Sequence, residues 1–143
     1  MTILLSLLFA VVPAGASFDC TPTRVWDGDG PIWCAEGPKI RLEGIAAREI
    51  DGSCRRGHPC PSASGEAARD QLVMLLGGAR GRTRSGHILV VAPTMHCRSD
   101  GSGMRERTQA LCNLPGVGDL SCAMVRSGTA LRWKAYHGDK VCS

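Results

Sequence analysis

The sequence predicts a small mixed α+β domain in which five strands and two helices are held together by disulfide bonds. Its 143 residues suffice for one domain, and 43% hydrophobic with 21% charged residues is a globular balance. Short runs of strand-forming residues are separated by glycine-containing turns, and two segments have helical spacing. Eight cysteines are many for this length, and aromatic residues make up only 4%. Disulfides are therefore expected to supplement an aliphatic core.

Residues 1–16 are predicted to be a signal peptide. Residues 2–12 are almost entirely apolar, and a small-residue cleavage motif ends at Ala16. Cleavage there leaves 17–143 as the mature domain. The alternative is that the apolar run is a buried strand or helix. No other segment is long and apolar enough to cross a membrane, so we predict a periplasmic or secreted protein without membrane association.

Export to an oxidising compartment allows the cysteines to pair. Their even number and the absence of any Cys-X-X-Cys pair argue for disulfides and against structural zinc. Spacing alone leaves the connectivity open, and our hypothesis is that neighbours pair. The predicted bridges are Cys20–Cys34, Cys54–Cys60, Cys97–Cys112 and Cys122–Cys142.

Three strands are predicted first, at residues 21–26, 32–34 and 39–45. The turn sequence at 27–30 contains two Asp-Gly pairs, which are typical of hairpins, and residues 39–45 alternate polar with apolar side chains. A loop at 51–64 follows. Ser64 is expected to cap a helix, whose apolar face repeats through Ala68, Leu72, Leu75 and Leu76.

The C-terminal half is predicted to contain two strands and a second helix. Residues 87–97 and 107–112 have strand character, with a polar turn at 98–106, and Pro93 indicates a bulge or an edge. Asp119 is expected to cap a helix that ends near Gly128. The resulting order, β-β-β-α-β-β-α, favours a five-stranded barrel of the OB type.

Four segments resemble, in order, the thermonuclease (staphylococcal-nuclease-like) family. They are VWDGD at 25–29, IRLEGIAARE at 40–49, RTQALC at 107–112, and DL with MVRSG and an alanine at 119–130. The resemblance spans about residues 25–136. It implies an OB-fold nuclease that uses a calcium ion, with Asp29 as metal ligand and Arg41, Glu49 and Arg107 as catalytic residues.

Phosphodiester hydrolysis accounts for these residue types independently. Water attack builds negative charge on the phosphorus oxygens, which two arginine side chains can neutralise. A carboxylate such as Glu49 can deprotonate the water. Carboxylate oxygen, as in Asp29, suits a hard divalent cation. Arg41 and Arg107 are thus expected to act on substrate rather than on folding.

The chain departs from the family pattern around Glu49. Ala46 occupies the place of the second metal-binding aspartate, and Arg48 that of a proline. Gly30 stands where threonine is usual, and Arg105-Glu106 where Tyr-Gly is usual. A single carboxylate predicts weak calcium binding, whereas Arg48 next to the site favours phosphate.

Three functions remain open. The first is a nuclease acting on DNA or RNA. The second is an OB module that binds nucleic acid or another polyanion without cleaving it, although Trp26, Trp33, Trp133 and Tyr136 are scattered in the sequence. The third is a disulfide-rich extracellular protein with another kind of partner, and no protein partner is inferable. The histidines, which have no metal-binding spacing, are predicted to lie on the surface or in loops: His58, His87, His96 and His137.

Overall fold

The computed structural model describes residues 11–142, which form short strands, two α-helices and three single-turn 3₁₀ helices. The α-helices are α1 (Gly65–Leu75) and α2 (Leu120–Arg126), and the 3₁₀ helices are Met104–Glu106, Lys134–Tyr136 and Gly138–Lys140. The strands are β1 (Ser17–Cys20), β2 (Pro22–Val25), β3 (Ile32–Cys34), β4 (Lys39–Leu42), β5 (Ile45–Ala46), β6 (Gly81–Arg82), β7 (Ile88–Leu89), β8 (Met95–Ser102), β9 (Thr108–Leu114), β10 (Gly118–Asp119) and β11 (Leu131–Arg132). Within this range no helix could span a membrane.

The main sheet is an open path in the order β1-β8-β9-β4-β3-β2-β7-β6, with β10 on β9 and a separate β5–β11 pair. The β4–β9 pairing is parallel, and the other pairings are antiparallel. The α+β class is therefore confirmed, but the sheet is not closed into the predicted five-stranded barrel. β3 and β7 occupy the two edges of β2, so the path continues outward to β6.

Both helices begin where the sequence predicts. The Ser64 hydroxyl accepts a hydrogen bond from the Ala67 N–H at 3.0 Å, and the Asp119 carboxylate accepts one from the Ser121 N–H at 3.0 Å. These caps satisfy backbone donors that the first helical turn leaves unpaired. Ala68 and Leu72 of α1 are fully buried in the aliphatic core, as the helical spacing predicts.

The predicted strand at 87–97 is wrong in its extent. The chain forms β7 first, leaves the sheet around Pro93, and enters β8 only at Met95. Proline lacks the N–H that a central strand needs. β8 then continues to Ser102, through residues predicted to be a turn, because its pairing with β9 extends to Ser102, whereas its pairing with β1 ends at Arg98.

The four disulfides join the neighbouring cysteines that the sequence analysis paired, and no cysteine in the described range is free. Cys97 and Cys112 are directly opposite in the β8–β9 ladder. Cys54–Cys60 closes a small loop outside the sheet, and Cys122–Cys142 ties the C-terminal segment to α2. Four disulfides fit an oxidising compartment.

Most of the predicted signal peptide, residues 1–10, lies outside the described residues. The segment before the predicted cleavage site lies beside β8 and β9. The Ser99 hydroxyl donates to the Val12 carbonyl at 2.6 Å, and the Val12 N–H donates to Thr108 Oγ1 at 3.1 Å. Cleavage after Ala16 would remove these contacts and stays a prediction.

Candidate active site

One cavity of about 440 Å³ lies between the 27–30 turn, β4, the start of β9 and the 51–64 loop. The four residues predicted as catalytic or metal-binding all line it: Asp29, Arg41, Glu49 and Arg107. They come from four separate parts of the chain. Only the fold brings their side chains to one place.

The 27–30 turn is seated against α1 by the absence of a side chain at Gly28. A Cβ there would lie 2.5 Å from Ala68 Cβ and 3.0 Å from Ala47 Cβ. Any larger residue would push the turn away from the helix. Gly28 therefore positions Asp27 and Asp29 at the cavity wall.

Arg41 and Asp29 form a buried ion pair, with Nη2 and Oδ2 3.3 Å apart and each side chain 11% exposed. Arg41 Nη1 also donates to the carbonyl of Ile45 at 2.9 Å and to the carbonyl of Leu42. The Ala47 N–H donates to the same Asp29 oxygen at 3.2 Å. Arg41 is thus held by internal contacts, so the expectation that it serves substrate alone is incomplete.

Asp27 lies deeper in the same wall and is 4% exposed. Burial, reinforced by the negative charge of Asp29, raises the pKa of Asp27 to about 10. Asp27 therefore retains a proton at neutral pH. One of the three carboxyl groups lining the cavity is consequently neutral.

Glu49 is placed by the start of α1. A Cβ on Gly65 would overlap the Glu49 carbonyl oxygen, so this backbone contact requires glycine. Glu49 Oε1 lies 3.4 Å from Arg55 Nε, with the two side chains 29% and 36% exposed. The carboxylate is thus accessible to the cavity and has a cationic neighbour.

Arg55 and His58 also line the cavity, and sequence reasoning missed both. Both lie within the loop closed by Cys54–Cys60. The sequence signal that could have identified them is the predicted Cys54–Cys60 disulfide just before a capped helix, because such a disulfide fixes the loop between the two cysteines. Arg48, by contrast, does not line the cavity, because it donates to the carbonyls of Pro61 at 2.6 Å and Gly52 at 2.8 Å. The predicted effect of its charge on a bound phosphate stays a prediction.

Arg107 stands immediately before β9, and burial lowers its pKa, an effect that the negative charge of Asp29 partly offsets. Arg105 also lines the cavity. Arg105 and Glu106 both have a φ of 59°, the left-handed region that non-glycine residues rarely adopt. This backbone bend separates β8 from β9 and brings two arginines to the cavity.

Aromatic rings that are scattered in the sequence form two groups near the cavity. His87 lies 5.0 Å from Trp26 and 4.6 Å from Trp33, measured between ring centroids. On the other side, the Arg41 guanidinium lies 4.8 Å from the Tyr136 ring. Flat ring surfaces beside cationic groups suit nucleobases and phosphates together.

Asp29 is a poor calcium ligand in this arrangement. Arg41 and the Ala47 N–H already contact its Oδ2, and Ala46 offers no side-chain oxygen. Among the described residues, Asp27, Asp29 and Glu49 do not bring three ligand atoms within 4.8 Å of one another. Calcium commonly takes six to eight oxygen ligands, and these residues do not fit it as a protein-built cage.

The cavity has more cationic than anionic side chains. Five cationic residues line it against three acidic ones: Lys39, Arg41, Arg55, Arg105 and Arg107 against Asp27, Asp29 and Glu49. Because Asp27 is protonated and carries no charge, the excess of positive charge is larger than the count of residues alone indicates. Such a cavity attracts anions.

The chain matches no protein-family model and no curated protein. The resemblance to the thermonuclease family therefore depends on the four segments at 25–29, 40–49, 107–112 and 119–130.

Proposed function

We propose that the protein is a periplasmic or secreted nuclease that hydrolyses phosphodiester bonds of DNA or RNA. The observation that carries the proposal is the single cavity in which Asp29, Arg41, Glu49 and Arg107 meet. The thermonuclease family implies these four residues as a set. Their convergence supports the proposed family membership, since side chains from unrelated surface turns would have no reason to share a cavity.

Glu49 is the proposed general base. Its accessible carboxylate would take a proton from the attacking water. Arg107 would contact the phosphate oxygens and neutralise the charge that grows on them in the transition state. Arg41 would add positive charge from deeper in the wall while it holds Asp29.

Calcium takes no step in this scheme, because the side chains around Asp29 do not supply the oxygen ligands that it needs. The cationic side chains of the cavity provide most of the phosphate neutralisation in this scheme.

We further propose that the sheet is a variant of the OB type. The antiparallel run β2-β3-β4, the parallel β4–β9 pair and the β9–β8–β1 continuation support this interpretation. Thr21 alone separates β1 from β2. One bent first strand would therefore pair with β8 through its first half and with β3 through its second.

A second candidate is a polyanion-binding module without hydrolytic activity. Two contacts favour it: Glu49 is paired with Arg55, and Arg41 already has internal partners. Both contacts reduce what these residues can offer to a reacting phosphate. The cationic cavity would still bind single-stranded nucleic acid.

A cleavage assay on labelled single-stranded DNA and RNA tests the proposal, first with calcium and then with a chelator. We expect Glu49→Gln to lower turnover by about a hundredfold or more, while Glu66→Gln, an exposed residue outside the cavity, leaves it unchanged. Arg107→Ala should act similarly to Glu49→Gln, with exposed Arg126→Ala as its control. Salt-sensitive binding without cleavage would favour the second candidate. Neither activity would indicate a partner that is not a nucleic acid.

A further inference from the structure

A second group of ionisable side chains lies outside the residues that line the cavity. It consists of Glu43, Asp100 and His137, which come from the turn after β4, from β8 and from the C-terminal segment. Each offers one ligand atom, and the three atoms lie within 4.8 Å of one another. His137 Nε2 and Asp100 Oδ2 are 3.0 Å apart.

Glu43 is the unusual member of this group. Its side chain is only 3% exposed. Its Oε1 oxygen is fully buried and nevertheless accepts no hydrogen bond. Lys140 Nζ forms a long ion pair with that oxygen, at 3.9 Å. Lys140 itself is half exposed. A buried carboxylate in this condition is costly unless a close cation neutralises it.

Two carboxylates and an imidazole on three separate chain segments are a ligand set for a borderline divalent metal. Imidazole nitrogen suits zinc and disfavours calcium or magnesium as the preferred ion. Zinc bonds to carboxylate oxygen and to imidazole nitrogen are both about 2.0–2.2 Å, so two ligands on one ion are at most about 4 Å apart. A shift of about 1 Å, within the reach of side-chain rotation, brings the three atoms into coordination.

We propose that Glu43, Asp100 and His137 bind one zinc ion, with water in the remaining position. The ion would neutralise Glu43 and Asp100 together. It would also fasten the C-terminal segment, which Cys122–Cys142 already ties to α2, to β4 and β8. The proposed zinc ligands share no residue with the lining of the cavity proposed for nuclease activity.

The test is calorimetric titration of zinc into the full, disulfide-bonded chain after chelator treatment, at neutral pH. We expect one ion per chain. His137→Asn should weaken zinc binding more than about tenfold, the loss that even an outer-shell partner of a metal site causes. Because His137 is 47% exposed, this variant is expected to fold. Cobalt titration monitored by visible absorption gives a second measurement of the same ligand set.

His96→Asn is the matched control. His96 also pairs with an aspartate, at 2.8 Å from Asp19, but both side chains are exposed and no third ligand accompanies them. We expect it to bind zinc as the unchanged protein does. Zinc should raise the melting temperature of the unchanged protein and of His96→Asn, but not that of His137→Asn or Asp100→Asn.

The proposal is overturned if the unchanged protein binds no zinc, or if His137→Asn binds it equally well. It is also overturned if His96→Asn and His137→Asn lose zinc affinity to the same extent. Failure of the cleavage assay with intact zinc binding would reject only the proposed nuclease activity.

Discussion

Two buried carboxylates lie near the end of β4, and the protein neutralises them in different ways. Asp29 receives the Arg41 guanidinium at 3.3 Å and the Ala47 N–H at 3.2 Å. Glu43, two residues beyond Arg41, has a second carboxylate and a histidine nearby and an oxygen without a hydrogen bond. The first environment places a buried guanidinium 3.3 Å from the carboxylate, whereas in the second the half-exposed Lys140 lies 3.9 Å from Glu43 Oε1.

Because of this difference, we expect the two regions to bind ligands of opposite charge. Around Asp29 the internal cation is already present and further arginines line the cavity, so the unfilled need is for an anion. Around Glu43 the acidic groups exceed the close cations, so the unfilled need is for a cation. Arg41 and Glu43, which are separated only by Leu42 along the chain, thus belong to two sites with opposite charge preferences.

The largest expected effect comes from removing Arg41. Arg41→Ala leaves Asp29 buried without its partner, and breaking a buried ion pair costs about 3–5 kcal/mol in the free energy of unfolding. Arg107→Ala, which breaks no ion pair among the described residues, should change that free energy by less than about 1 kcal/mol. Urea unfolding measures both. Equal losses would contradict the distinction between an internal and a substrate-facing arginine.

Removing single disulfides should affect the two regions separately. Replacing Cys54 and Cys60 by serine should weaken binding of single-stranded DNA, because Arg55 and His58 lose their fixed loop. Replacing Cys122 and Cys142 should weaken zinc binding instead. Each change is expected to cost about 2–4 kcal/mol. The check is to measure both ligands with both variants. If each variant affects the two ligands equally, the regions are not independent.

A third prediction concerns adding a carboxylate at position 46, near Asp29, which would make this region more acidic, as the region around Glu43 is. Ala46 is fully buried, so Ala46→Asp and Ala46→Asn should both lower the free energy of unfolding by burying a polar group. Calcium should recover part of the loss only in Ala46→Asp, because an added carboxylate increases affinity for hard cations. Thermal melts with and without calcium make the comparison. Equal recovery in both variants, or in neither, would show that position 46 does not face a metal site.

The smallest effect concerns pH and His87. Burial, assisted by the positive charge of Arg24, lowers the pKa of His87 below the usual 6.5. The unfolded chain therefore binds this proton more readily, so the stability contributed by neutral His87 is present above about pH 6.5 and is lost as the pH falls through the folded pKa. Unfolding followed by tryptophan fluorescence should show a steeper loss below pH 6.5 in the unchanged protein than in His87→Gln. Parallel curves would contradict it.

Local patterns predicted much of the secondary structure. The Ser64 and Asp119 caps act within one helical turn, and Ile32–Cys34 is a strand as predicted. The same patterns misplaced the boundaries of β8, since its extent to Ser102 depends on pairing with β9 across the sheet. Neighbour pairing of cysteines also agrees with the structure, as in Cys97 and Cys112, which are directly opposite in adjacent strands.

The candidate catalytic residues came from a resemblance of four sequence segments, and chemistry explained why those residue types belong together. The tertiary structure alone decided what each of them contacts. It turned Arg41 inward to Asp29, directed Arg48 to the loop carbonyls, and brought Arg55 into the cavity through the Cys54–Cys60 loop. It also placed His137 beside Asp100, although histidine spacing predicted no metal ligand. Spacing along a chain reports only neighbours within a turn or a strand, whereas charge balance in a buried site depends on residues that meet from distant segments.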